Sequence, residues 1–141
     1  MDAFHKYGIS SAGEMAAVLS LMAFETQDFK YNTNHFPGWP GQGTRNMQMP
    51  PLNLKYAQSI PDLATAAGDP VQVLKLLTSS DEYDFGSGSW FLSTQCPDSV
   101  RSGLQTGSQQ GWEAYITSCV QTSVTPERQA YWERAKKALG M

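Results

Sequence analysis

From Lys30 to Pro51 the chain is built from residues that interrupt regular structure: Asn32, Asn34, Pro37, Gly38, Pro40, Gly41, Gly43, Pro50 and Pro51. Glycine opens backbone conformations closed to other residues, and proline fixes φ and removes a hydrogen-bond donor. Neither a long helix nor a long strand can run through such a stretch. A loop longer than about 12–15 residues inside a compact domain is either functional or disordered. Tyr31, Phe36 and Trp39 argue against disorder. The segment reads as a long ordered loop, with room for a short hairpin, between helical segments.

Helix signals surround it. Ser11-Ala12-Gly13-Glu14 is a capping box. Met15, Val18, Leu19 and Met22 follow at helical spacing, and Glu25 lies on the flank of that apolar stripe, near the helix end. A carboxylate placed there is half-buried. Further helices are predicted over Leu52–Ser59, stopped by Pro61, and over Asp62–Ala67 as a short piece. Another opens at Asp69-Pro70, with Val71, Val73, Leu74 and Leu77 as its apolar set. Ser79–Gly88 reads as a polar turn, Ser89–Thr94 as a helix in preference to a strand, and Val100–Gln105 as a short element. Trp112, Tyr115, Ile116 and Cys119 fall at i, i+3, i+4 and i+7 in a helix from Trp112 to Val120. Thr125-Pro126 caps and starts the last helix, which runs to Leu139 and stops at Gly140. The fold class is mainly α, and 141 residues suit one domain spanning 1–141.

Composition narrows the function classes. A net charge of −3 with no basic stretch excludes nucleic acid as a partner. No apolar run approaches the ~20 residues of a membrane span. Met1-Asp2-Ala3-Phe4-His5 has no leader pattern, which is compatible with a piece of a longer protein. Cys96 and Cys119 form an even pair that fits one disulfide and an oxidising, extracellular compartment; the alternative is two buried free thiols. The cysteine spacing and the distant His5 and His35 offer no metal site. A monomer without cofactor is expected.

The segment Glu25-Thr26-Gln27-Asp28, followed by Gly43-Thr44-Arg45-Asn46-Met47-Gln48, places a carboxylate at the end of an apolar helix and a Met-Gln pair after a Gly-rich turn. On these residues the chain resembles the lysozyme superfamily, in particular its goose-type and lytic-transglycosylase branch. Tyr56-Ala57 and the stretch from Asp84 to Leu92 look like fungal secreted lysozyme-like muramidases. Arg45-Asn46 depart from the Gly-Leu of that branch. The resemblance implies a secreted, antimicrobial glycoside hydrolase that degrades cell-wall peptidoglycan or a related N-acetylglucosamine-containing glycan.

Within that resemblance Glu25 is the general acid, its pKa raised by Met22, Phe24 and Phe29. Asp84 and Asp28 are candidates for the second carboxylate. Gln48 and Asn46 are candidate sugar contacts, and Tyr31, Trp39, Tyr83 and Trp90 candidate stacking platforms. The rival readings are a chitinase or chitosanase, a lytic transglycosylase, and a non-catalytic domain that binds wall glycan. No nucleophile–histidine constellation is present.

Overall fold

The computed structural model describes residues 1–35, 38–66 and 68–141; Phe36 and Pro37 of the long loop, and Ala67 at the end of the short 62–67 segment, lie outside the described residues. Eight α-helices are present among those described: α1 (Asp2–Lys6), α2 (Ala12–Glu25), α3 (Pro50–Ser59), α4 (Pro70–Thr78), α5 (Asp81–Gln95), α6 (Asp98–Gln105), α7 (Gln109–Ala114) and α8 (Pro126–Ala138). A 3-10 turn covers Pro61–Leu63 and a π turn Tyr115–Cys119. Extended pairing among the described residues is limited to the isolated bridges Thr33↔Gly43 and Gly43↔Gln48. The mainly α expectation therefore holds.

The caps follow the sequence. Ser11 Oγ accepts from the Glu14 amide at 3.2 Å and donates to the Glu14 carboxylate at 2.8 Å. Asp69 and Thr125 accept from the amides of Val71 and Arg128, with proline at the first helical position after each. The 79–88 stretch is different from its sequence reading. It forms the first half of α5, because Asp81, Glu82 and Asp84 sit in the first turn, where the helix dipole favours negative charge. Gly88 there is a packing residue: a Cβ on it would come within 2.8 Å of the Met22 sulfur and 3.1 Å of Val18. The helix expected over 112–120 also changes character. After α7 the ladder widens, and the Val120 amide donates to the Tyr115 carbonyl at 2.9 Å, five residues back.

The chain divides into two compact units: residues 1–24 with 88–141, and residues 25–87. In the first unit α2 is buried nearly all round, from Gly13 through Met22, which marks it as a core helix rather than an amphipathic surface one. Trp112 and Trp132 stack at 5.6 Å with 8° between their planes, and both are fully buried. Such a pair contributes about 0.5–1.5 kcal/mol beyond its area burial. The backbone comes close in two places where only glycine fits: Gly13 against the Leu104 carbonyl, and Gly111 against the Gly103 carbonyl. Glu14, 1% exposed, is neutralised by Arg101 at 2.8 Å. Cys96 and Cys119 are joined in the expected disulfide, with Cα atoms 5.4 Å apart.

In the second unit α3 packs on α4, with Tyr56, Ala57, Ile60, Val73, Leu74 and Leu77 buried. The loop 38–49 is pinned to α4. A Cβ on Gly41 would sit 2.6 Å from Pro70, and one on Gly43 would sit 2.7 Å from Leu74.

Replacing both Cys96 and Cys119 by Ser is expected to cost about 3.5 kcal/mol, the loop-closure value for a separation of 23 residues, read by urea unfolding. Gly111→Ala is expected to cost more than 1 kcal/mol, because its Cβ meets backbone rather than a movable side chain.

Candidate functional site

Helix α2 ends at Glu25, and the chain then makes a turn of uncommon geometry. Gln27, Asp28 and Phe29 have φ of 51°, 60° and 63°, three successive non-glycine residues in the left-handed region. Each such residue costs roughly 1–2 kcal/mol for an L-amino acid. Thr26, wholly buried, holds the turn: its Oγ1 accepts from the Phe29 amide at 2.8 Å, and its carbonyl accepts from the amides of Lys30 and Tyr31 at 3.0 and 3.2 Å.

The following loop is tied by amides rather than by a sheet. Gly43 and Gln48 exchange both backbone hydrogen bonds, at 3.1 and 2.7 Å, and the Asn34 amide donates to the Gln42 carbonyl at 3.0 Å. Asn53, with no exposed surface, is the internal hub. Its Nδ2 donates to the carbonyls of Gly41 and Gln48, and its Oδ1 accepts from Gln48 Nε2 at 3.1 Å. Asn46 Nδ2 donates to Gln48 Oε1 at 3.3 Å. A buried amide network of this kind specifies one loop conformation, since each unmade bond would cost about 1–3 kcal/mol.

Between the turn and the loop lies a cleft of about 520 Å³, lined by Glu25, Gln27, Tyr31, Thr33, Asn34, His35, Gln42 and Met47. Seven of these eight residues carry a polar group, so the cleft offers hydrogen bonds beside the apolar parts of the same side chains. Among its walls, Asn34 Nδ2 donates to Gln42 Oε1 at 3.0 Å, and Gln42 Nε2 to the Met47 carbonyl at 3.3 Å.

Beneath the turn sits a buried ion pair. Asp84, 1% exposed, accepts through Oδ2 from Arg45 Nε at 2.9 Å and from Asn32 Nδ2 at 3.0 Å. Arg45 Nη1 donates to the Phe29 carbonyl at 2.6 Å and to the Tyr31 carbonyl at 3.3 Å. Its guanidinium lies 4.7 Å over the Phe85 ring. Burial pushes the Asp84 carboxyl above its ordinary 3.8, and the Asn32 hydrogen bond and the Arg45 charge only partly oppose this.

The sequence-derived candidates are thus distributed unevenly. Glu25, half-buried, and Tyr31, 54% exposed, line the cleft. Asp28 is exposed on the turn. Gln48 and Asn46 face the Asn53 network, and the Oδ2 of Asp84 is taken by Arg45 and Asn32. Trp39 is 66% exposed outside the cleft lining, and Tyr83 donates to Asp62 at 3.2 Å. Trp90 is 2% exposed in the core of the first unit, so its faces cannot serve as a platform. Sequence reasoning missed Arg45 and Asn53, and the cleft residues Gln27, Thr33, Asn34, His35 and Gln42. Their roles depend on turns that carry no residue-spacing signature.

No family model matches the chain, and no solved structure does. A bifunctional dioxygenase (DOX)-epoxy alcohol synthase (EAS) of Fusarium oxysporum (strain Fo5176) is 48% identical over 151 aligned residues. The alignment covers 100% of this chain and 12% of that protein, so the chain spans about an eighth of the relative's length. This likeness to a protein named for oxygenase and synthase activities overturns the lysozyme-superfamily resemblance. With it fall the muramidase function, the chitinase, transglycosylase and glycan-binding alternatives, and the glycoside-hydrolase class. The acid role of Glu25, the second-carboxylate roles of Asp84 and Asp28, and the sugar-contact roles lose the support they drew from that resemblance.

Arg45→Met leaves the Asp84 carboxylate buried without its cation and is expected to cost about 3–5 kcal/mol in urea unfolding. The folded protein holds the Asp84 proton more tightly than the unfolded chain, whose carboxyl titrates near 3.8. The resulting stabilisation is full below that value and is lost as pH rises through the higher folded one. Stability of the wild type relative to Asp84→Asn is therefore expected to fall as pH is raised from about 3 to 7.

Proposed function

We propose that this chain is a binding module for a small, oxygen-rich organic ligand, working alongside oxygenase chemistry of the kind named for the Fusarium relative and not carrying that chemistry itself. The observation that carries the reading is the cleft of about 520 Å³ with seven polar side chains among the eight that line it. Tyr31, Asn34, His35 and Gln42 supply donors at its wall, and Glu25 an acceptor. An epoxy alcohol, the product class in the relative's name, offers hydroxyl and oxirane oxygens to such donors.

Activation of dioxygen calls for a metal or another redox group held by thiolate, imidazole or carboxylate ligands. The described residues do not supply a three-ligand metal centre of that kind. Both cysteines are joined to each other, and no group of three His, Cys, Asp or Glu among the described residues is placed to hold a metal. His5 and His35 are both exposed, one in each unit. The disulfide supports folding in an oxidising compartment.

The test is titration of ¹⁵N-labelled protein with a short epoxy alcohol and with the matched hydrocarbon. The epoxy alcohol is expected to shift the amides of Thr33, Asn34, His35 and Gln42, and the hydrocarbon to leave them unmoved. Tyr31→Phe, which removes one exposed hydroxyl, is expected to weaken binding roughly tenfold at most. Absence of any shift at the cleft overturns the ligand class. Uptake of haemin or a metal ion with oxygen consumption by the isolated chain overturns the separation from redox chemistry.

A further inference from the structure

Backbone strain in this protein is concentrated around one side chain. Of the six non-glycine residues with positive φ among the described residues, Gln27, Asp28 and Phe29 form the turn after α2, and Thr44 and Met47 flank Arg45-Asn46 at φ of 65° and 46°. Strained backbone of this kind persists only where the surroundings over-determine it, and it clusters at ligand clamps and switch segments. Here Thr26 holds the turn from within, and Arg45 holds it from the loop. Its Nη1 donates to the carbonyls at both the end of the strained turn, Phe29, and the start of the following loop, Tyr31. Its Nε is anchored by Asp84 at 2.9 Å, and its plane rests on Phe85, the ring that also packs on Phe29 at 5.9 Å.

The turn is also part of the cleft. Gln27, within it, and Tyr31, two residues beyond it, line the cavity, and Glu25 lies one residue before Thr26. Gln27 and Tyr31 lie within and just after the left-handed residues, so the conformation of the turn bears on where both side chains sit. We propose that Arg45 is a positioning residue: it latches the left-handed turn 27–29 in its strained form and thereby sets the cleft wall made by Gln27 and Tyr31. Thr26 closes the turn locally, whereas Arg45 ties it to α5 through Asp84. The fastening is built from one fork-shaped cation that satisfies two carbonyls and a carboxylate at once. A lysine ammonium carries equal charge and cannot reproduce that planar geometry.

The device is independent of what the cleft binds, so its test uses no ligand. Arg45→Met alone exposes the fold to the unpaired Asp84 charge, so the working variant is the pair Arg45→Met with Asp84→Asn, which removes both charges. Hydrogen exchange in this double variant is expected to speed at least tenfold at the amides of Phe29, Lys30 and Tyr31, while the amides of α4 keep their rates. Asp28→Gly supplies the second readout, because glycine adopts positive φ without the Cβ cost. In the wild type it is expected to raise Tm by about 2 °C, by releasing strain. In the double variant the same substitution is expected to give no gain, because the turn has already relaxed. An equal gain in both backgrounds shows a turn that holds without Arg45, and no gain in either shows a turn without strain; each overturns the proposal. Unchanged exchange at residues 29–31 in the double variant does so as well.

Discussion

The second unit depends on a charge taken out of water. Asp84 retains almost no exposed surface, and Arg45 lies against it with its side chain 16% exposed. Desolvating a carboxylate is costly, and a single cation does not cancel that cost by itself. The pair is retained with further hydrogen bonds: Asn32 donates to the same Asp84 oxygen, and the two remaining contacts of Arg45 go to main-chain carbonyls of the turn after α2. One ion pair therefore fixes where a strained turn, a long loop and the first turn of α5 meet.

The first unit is organised by a different constraint, the close approach of backbones. Gly13 and Gly111 allow α2 and α7 to come against α6 at distances that no Cβ permits. Stacked Trp112 and Trp132 then fill the space beside them, and the disulfide closes the segment from Cys96 to Cys119. Dispersion and apolar burial dominate here, and Glu14–Arg101 is the exception, a capping carboxylate reused as an ion-pair partner.

Division of labour between the units gives the functional reading its shape. The cleft is lined by described residues between Glu25 and Met47, and the strained turn after α2 and the amide bonds of the loop shape its wall. Among the described residues no group of three His, Cys, Asp or Glu is placed to hold a metal ion, and the Fusarium oxysporum protein that is 48% identical is named for oxygenase and synthase activities.

Much of the fold was legible in the chain itself. Local physics set the caps at Ser11, Asp69 and Thr125, the proline starts, the disulfide pairing and the interruption from Lys30 to Pro51, because each depends on residues near one another or on simple counting. The half-burial of Glu25 followed from its angle on α2. Tertiary structure decided the rest. Gly86 and Gly88 read as turn residues, and only the proximity of Met22 and Val18 shows why a helix carries glycine at 88. Asp84 read as an acid on a polar turn, and only the arrival of Arg45, 39 residues away, made it a buried anchor. The likeness to the Fusarium protein overturned the functional resemblance, and the structure shows how little the pattern behind it specified. Glu25, Met47 and Gln48 form a short pattern, but a pattern does not say whether a glutamine faces a cleft or, as here, an asparagine inside the fold. Local sequence determines which backbone hydrogen bonds close nearby; which side chains meet across dozens of residues is settled by packing and desolvation, and those act only once the chain has folded.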